Sequence, residues 1–414
     1  MSRTCVVLLR GGAALLGTQV GKSGIDRRSL WATLAVGAAS LALAACSSGS
    51  LERFGTEAPP PQADGTPQQQ GPVSAGQIRV ALILPLSAPG NAGIAALSMK
   101  NAADMALAEF KEPNVQLLVK DDAGTPQGAQ GAAQQAIDEG AEMIIGPLFA
   151  QSVSAVGAVA RPRGIPVIAF STDASVAARG VYLLSFLPES DVRRIVDFAA
   201  ARGKRSYAAL LPDNAYGAVV EAAFQQAVAR RGGRVVAMEK YPLDPAKMGE
   251  SVRRVAQAAA SADSLFIPDG ADAVPQVIQQ LEANRVNLKR LQLLGTGLWD
   301  DPRIVEIPSM AGGLYAAPES AGYRGFATRY RARYGADPVR TATLAYDAVA
   351  LVAALVKTQG QQRFSEQVLT GSSGFTGIDG IFRFKSDGTN ERGLAVLRAA
   401  PGGGQVVSPA PKAF

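Results

Sequence analysis

From residue 78 onward the chain alternates short, mainly apolar runs with longer stretches in which apolar side chains recur every three or four residues. Residues 78–85, 115–120, 141–145 and 165–170 are runs of the first kind and read as strands. The last of them, Ile165-Pro166-Val167-Ile168-Ala169-Phe170, has no polar face, which suits a parallel sheet covered by helices on both sides. Between them, residues 99–110 place Met99, Ala103, Ala106, Leu107 and Phe110 on one helical face, and residues 129–139 and 152–160 keep the same period. Gly146-Pro147 and Arg161-Pro162-Arg163-Gly164 supply the stops. After residues 182–188 the rhythm begins again: helix 195–202, strand 207–211, helix 219–230, then strands 235–238 and 264–267 around helix 248–259. A βα alternation predicts right-handed crossovers and parallel sheets, and two successive arrays predict two lobes.

In open α/β sheets ligands sit in the crevice beyond the carboxyl ends of the strands. That rule gives Gln151 and Ser152, after the strand ending at Gly146, and Ser171 and Thr172, after the next strand, one shared mouth. Each hydroxyl taken singly also suits a helix cap. Together they predict a cleft.

Composition changes the picture mainly by exclusion. The chain of 414 residues has no histidine and two cysteines, so Ser-His-Asp and Cys-His chemistry and every histidine metal site are removed. Gly295-Thr296-Gly297 lacks the third glycine of a dinucleotide fingerprint. The expectation is a binding protein without catalytic residues, cofactor or metal.

The amino-terminal region predicts an address. Arg27-Arg28 precedes an apolar run, residues 30–43, too short to span a bilayer and of signal-peptide length. It ends at Leu43-Ala44-Ala45-Cys46, which resembles a bacterial lipobox and makes Cys46 the expected acylation site. Residues 1–45 are then a leader holding Arg3, Arg10, Lys22, Arg27 and Arg28 against Asp26, a net +4 of the formal +6. The basic balance therefore gives no support for nucleic-acid binding. Residues 46–76, with Pro59-Pro60-Pro61 and Gln68-Gln69-Gln70, cannot bury enough apolar surface to offset chain entropy and read as a tether.

Several motifs carry a family resemblance. They are Leu84-Pro85-Leu86-Ser87, Lys120-Asp121-Asp122, Ile145-Gly146-Pro147, Asn214-Ala215-Tyr216-Gly217 and Arg333-Tyr334-Gly335-Ala336-Asp337-Pro338. In that order they resemble the type I periplasmic binding proteins of the leucine-binding family. The resemblance implies an α/β fold of two doubly wound parallel-sheet lobes, joined by a three-crossing hinge and closing around a small ligand. On that template residues 77–187 plus 317–356 form lobe one, residues 188–316 plus 357–405 lobe two, and residues 406–414 a tail, with the third crossing after the helix of residues 344–356. Gly146-Pro147-Leu148 and Phe186-Leu187-Pro188-Glu189-Ser190-Asp191 look closest to the penicillin-binding-protein activator lipoproteins of the cell envelope.

Carried over residue by residue, the resemblance puts Ser87, Gln151, Ser152, Phe170, Ser171, Thr172, Tyr216, Trp299 and Asp300 at the cleft. Thr172 and Tyr216 match the family pattern. The turn hydroxyl that helps hold an amino-acid carboxylate falls on Ala150, the acid that holds its ammonium on Gly297, and the first-loop aromatic on Gly93. A buried zwitterion needs charge-assisted partners at both ends. These departures favour a regulator that touches a cell-wall synthase over the other reading, the receptor of an ABC importer for amino acids or related solutes. Either way the expected location is the periplasm, lipid-anchored to the envelope, at the outer membrane in preference to the inner.

Overall fold

A computed structural model describes residues 77–110 and 114–414. The leader, Cys46 and the tether lie outside the described residues.

Lobe one opens with β1 (Ile78–Leu84), α1 (Asn91–Glu109), β2 (Val115–Asp121), α2 (Pro126–Asp138), β3 (Met143–Ile145), α3 (Ala150–Ala160), β4 (Val167–Ala169) and β5 (Val181–Leu183). Its sheet runs β2-β1-β3-β4-β5, all parallel. The inner strands β1, β3 and β4 bury both faces because α1 covers one side and α2 and α3 the other. α2 begins earlier than its apolar period suggests, because Thr125 caps it by accepting from the Gly128 N–H and Pro126 suits the first turn.

Lobe two follows with α4 (Pro188–Ala201), β6 (Ser206–Pro212), α5 (Ala215–Arg230), β7 (Arg234–Tyr241), α6 (Pro245–Ala258), β8 (Ser264–Phe266), α7 (Val274–Ala283), β9 (Gln292–Gly295), the short α8 (Pro302–Val305) and β10 (Leu314–Ala317). The chain returns to lobe one for α9 (Ser320–Tyr334), α10 (Ala342–Thr358), the short α11 (Glu366–Leu369) and a small antiparallel sheet of β11 (Phe375–Gly377), β12 (Gly380–Phe384) and β13 (Asn390–Arg392). It ends in lobe two with β14 (Ala395–Ala400) and β15 (Gly403–Ser408). The second sheet is ordered β15-β14-β10-β9-β8-β6-β7, with β14 and β15 antiparallel to their neighbours.

The carboxy-terminal third corrects the expected boundaries. Residues 357–392 stay with lobe one, since Leu369, Phe382 and Phe384 are buried in the same core as Val80 and Leu82, and the Phe384 ring lies 5.4 Å from that of Tyr182. The third crossing comes between β13 and β14, later than α10, and the edge strand of residues 403–408 runs on through residues 406–408, where a tail is expected. The reason is apolar alternation in β12, which aims Ile381 away from Phe382 and Phe384 and gives the hairpin one face for the lobe-one core.

At the crossings the side chains of one connection bind the backbone of another. Asn390 Nδ2 donates to the carbonyls of Leu183 and Ser185, both at 2.8 Å, and Arg392 Nε donates to Ser185 O at 3.0 Å. The Arg392 guanidinium lies over the Phe186 and Phe382 rings, at 4.7 and 5.5 Å from their centroids. Beside it Arg340 holds Asp379 through two hydrogen bonds, of 3.0 and 2.6 Å, and Asp347 accepts from the Ile378 N–H at 2.8 Å. Burial pushes the Asp347 carboxyl up to about 7, opposed by that N–H and by the charge of Arg392.

Two consequences are measurable. The folded state holds a proton on Asp347 that the unfolded chain releases, so this group subtracts stability progressively as pH rises from its ordinary value of 3.8 to about 7. Denaturant titrations at a series of pH values should show Asp347→Asn gaining on the native sequence across that window and keeping pace above it; parallel curves would contradict the assignment. In lobe two, a Cβ on Gly295 would stand 2.1 Å from the Trp299 ring, which is fully buried over it. Gly295→Ala should therefore cost about 1–3 kcal/mol of stability in the same titration.

Candidate functional site

β5 leaves lobe one at its carboxyl end through residues 184–187, and β10 leaves lobe two at its carboxyl end through residues 318–319. The carboxyl ends of both parallel arrays therefore meet at the hinge, and the loops beyond them form the two walls of a cleft.

On the lobe-one wall the predicted residues divide by exposure. Ser87, Gln151 and Thr172 are exposed. Ser152 is fully buried on the inner side of α3, facing the equally buried Asp122, whose carboxyl is raised by burial and steadied by the Gly124 N–H. Ser171 is buried and its Oγ accepts from the Asp173 N–H at 3.1 Å, closing its own turn. Phe170 belongs to the lobe-one core, so its expected place at the cleft is corrected: it ends a strand whose alternate residues pack against α1 and α10. Phe149, just before α3, is the large apolar side chain left at this edge, 39% exposed.

On the lobe-two wall Asn214 caps α5 by accepting from the Gly217 N–H, and Tyr216 stands half-buried in the first turn. Its hydroxyl bonds Thr296 Oγ1 at 3.1 Å, and burial raises the phenol well above its usual range. Trp299 is a second correction. Its indole is wholly inside the lobe-two core and donates to Ile267 O at 2.9 Å, because the turn after β9 folds the ring back over Gly295. Its neighbours point outward instead: Leu298 is 47% exposed, and Asp300 is exposed while its Oδ1 accepts from the Tyr315 hydroxyl at 2.9 Å.

Where the walls meet the hinge, a cavity of about 150 Å³ is lined by Gly297 and Asp300 of lobe two, Tyr323 and Arg340 of lobe one, and the crossing itself. The Arg340 guanidinium lies between the Phe186 and Tyr323 rings, 4.8 and 4.7 Å from their centroids. The departures at Gly93 and Gly297 have structural causes. A Cβ at Gly93 would fall 2.2 Å from Ala88 O, so no aromatic fits there. At Gly297 it would meet Asp191 Oδ2 at 3.3 Å and Ala316 O at 3.4 Å, and the Gly297 N–H is already bonded to that Asp191 oxygen. Three residues on, Asp300 brings a carboxylate to the same cavity.

Sequence reasoning missed Arg340, Tyr323, Phe149 and Leu298. Arg340 and Tyr323 carry no local signal, because only the second crossing brings them to the cleft. Leu298 was legible in principle, as the apolar residue in a turn after a strand. The site can thus offer hydroxyl and amide groups from Thr172 and Gln151, a carboxylate from Asp300, a tyrosine edge, and apolar contacts from Phe149 and Leu298.

Comparison with known proteins is consistent with this architecture. A protein of Rhodospirillum rubrum assigned to branched-chain amino acid ABC transport superposes with a TM-score of 0.72 at 20% identity, over 80% of this chain and all of its own. A leucine-binding protein of Thermotoga maritima gives 0.57 at 18% identity, over 80% of this chain and 98% of that one. A solute-binding protein of a Rhodopseudomonas palustris ABC transporter, solved with 3,4-dihydroxybenzoic acid, gives 0.58 at 19% identity, over 81% and 99%. No curated protein matches the chain. The periplasmic binding protein family profile matches residues 77–405, so both lobes and all the crossings between them are covered, and the chain belongs to that family.

Proposed function

We propose that this chain is the solute-binding component of an ABC importer, taking an amino acid or a related small solute with an apolar body. The observation that carries the reading is the cavity at the hinge end of the cleft. It is lined from both lobes, with Asp300 among the lining residues. In this reading Asp300 pairs with the ligand ammonium in place of the acid absent at Gly297, Thr172 donates to the opposite end, and Phe149 and Leu298 cover the apolar body. The likeness to binding proteins for leucine and for dihydroxybenzoate supports an apolar-bodied solute. The role is binding without chemistry, in the periplasm, with Cys46 as the acyl anchor.

The regulator reading rests on one specific feature. Ala150 and Gly297 leave the zwitterion site short of two groups, and each lost charge-assisted hydrogen bond typically weakens binding by about 1.5–3 kcal/mol. Under it the cleft stays empty and the body touches a penicillin-binding synthase.

A thermal-shift screen of the full chain against amino acids, benzoates and short aliphatic acids separates the readings, because a ligand that binds only the folded state raises its melting temperature. We expect at least one apolar amino acid or aromatic acid to stabilise the protein. Thr172→Ala should weaken that ligand roughly tenfold or more. Asp300→Asn should abolish binding of an amino acid but spare a benzoate. An empty screen, with a cell-wall synthase co-purifying, would replace the importer reading by the regulator.

A further inference from the structure

The strongest charge segregation in the molecule lies at the end of lobe two remote from the cleft, in the loops that lead into β6, β7, β8 and β9. The first supplies Arg202, Lys204 and Arg205, and the second Arg230, Arg231 and Arg234. The loop before β9 adds Arg285, Lys289 and Arg290, while the loop before β8 contributes a single acid, Asp263. Nine cations less one anion give these four segments +8, whereas the whole chain carries +6, so everything else sums to −2. Lobe one has no counterpart: in the corresponding loops Arg161, Arg163 and Arg179 are balanced by Glu139 and Glu142, with Glu366 paired to Arg179.

Hydrogen bonds between the loops make this one continuous face. The Arg234 N–H donates to Arg205 O at 2.8 Å, and the Arg205 N–H to Asp263 Oδ2 at 3.0 Å. The guanidinium of Arg290 donates to Ala259 O, which joins the fourth loop to the third. Eight of the nine cations are exposed, Lys204 being half-buried, and among the described residues only Arg231 is in a salt bridge, with Asp197. Asp197 and Asp263 relieve only part of the repulsion among this many like charges, and an anionic surface would relieve more.

We infer that this end of lobe two is a docking face for an anionic phospholipid surface. Only Arg205 and Arg234 of the nine line the shallow cavity at this end, together with Asp263; the other seven spread over the loops around it, which matches an extended sheet of headgroups better than a linear polyanion. None of the large exposed apolar side chains, Ile94, Leu97, Phe149, Leu243, Leu298, Val406 or Phe414, lies in these loops. The contact is therefore electrostatic, without insertion into the acyl layer and without an exposed aromatic on which a nucleic-acid base could stack. The inference does not depend on what the cleft binds.

The test is vesicle flotation of residues 46–414 carrying Cys46→Ser, so that neither the apolar, cationic leader nor an acyl group contributes. Vesicles of phosphatidylcholine alone are compared with vesicles containing an equal part of phosphatidylglycerol. The protein should float with the anionic vesicles only, and raising the salt should release it as the screening length shortens to about 8 Å at physiological ionic strength. Combining Arg230→Glu, Arg234→Glu and Lys289→Glu should lower the bound fraction about tenfold or more, since each basic group near such a surface contributes to binding. Arg161→Glu with Arg163→Glu, on lobe one, should leave it unchanged. Equal flotation with neutral vesicles, binding that ignores salt, retention by a soluble acidic polypeptide but not by vesicles, or an undiminished triple variant would each overturn the inference. If the triple variant fails to fold, the salt series and the lipid comparison on the parent chain decide alone.

Discussion

Two backbone carbonyls, those of Leu183 and Ser185, are the points on which the two-lobed architecture turns. They end the last strand of lobe one, where the chain departs for lobe two, and would be left without partners if the third crossing did not supply Asn390 and Arg392. Buried carbonyls left unbonded are costly, so the first and third crossings are held in register by a need that neither lobe meets alone. Arg392 is almost wholly buried, and it is tolerated there because the Phe186 and Phe382 rings flank it and the Asp379 and Asp347 carboxyls stand nearby. Around this knot each lobe keeps its own cores, which allows the lobes to move as bodies with the crossings as the only covalent links.

The same arrangement decides what the cleft contains. Residues at the strand ends divide by parity and by helix phase into those that pack inward and those that face the gap. Phe170, Ser152 and Trp299 go to the first group, Thr172, Gln151, Leu298 and Asp300 to the second. Gly295 and Trp299 show how tightly the choice is made, for the ring occupies the space a side chain at residue 295 would need, and so sends residues 298 and 300 outward. A carboxylate at residue 297, where the family pattern has one, would crowd Asp191 and Ala316 and stand against the Asp191 carboxylate, while the one at residue 300 reaches the cavity.

Much of this was legible from apolar spacing. The mainly apolar runs at β1 and β2, the wholly apolar one at β4 and the helical period between them gave the parallel array of lobe one directly, because inner strands buried on both faces leave few other patterns. The small sheet of β11 to β13 was assigned to the wrong lobe, since its partners in the core are contributed by β1 and α10 far earlier in the chain. β14 and β15 were not resolved as strands for a related reason: β15 is an edge strand with exposed residues such as Val406, and its pattern is weak. Among site residues, hydroxyls after strands were found easily but their direction was not, for a shift of one residue along a strand or turn exchanges core for solvent. Arg340 and Tyr323 reach the cleft only through the topology of the second crossing. The charged face of lobe two was hidden in the composition, where the +8 of four loops is set, beyond residue 45, against a net −6 in the rest of the chain.

The central claim is that the lobes close on a solute held between them, with the crossings as the axis. Small-angle X-ray scattering on the full chain, with and without a saturating amount of the most stabilising solute, measures that closure most directly. The account predicts a smaller radius of gyration in the bound state, because closing a hinge around a ligand brings the two lobes together. A radius that stays the same at saturation would contradict it.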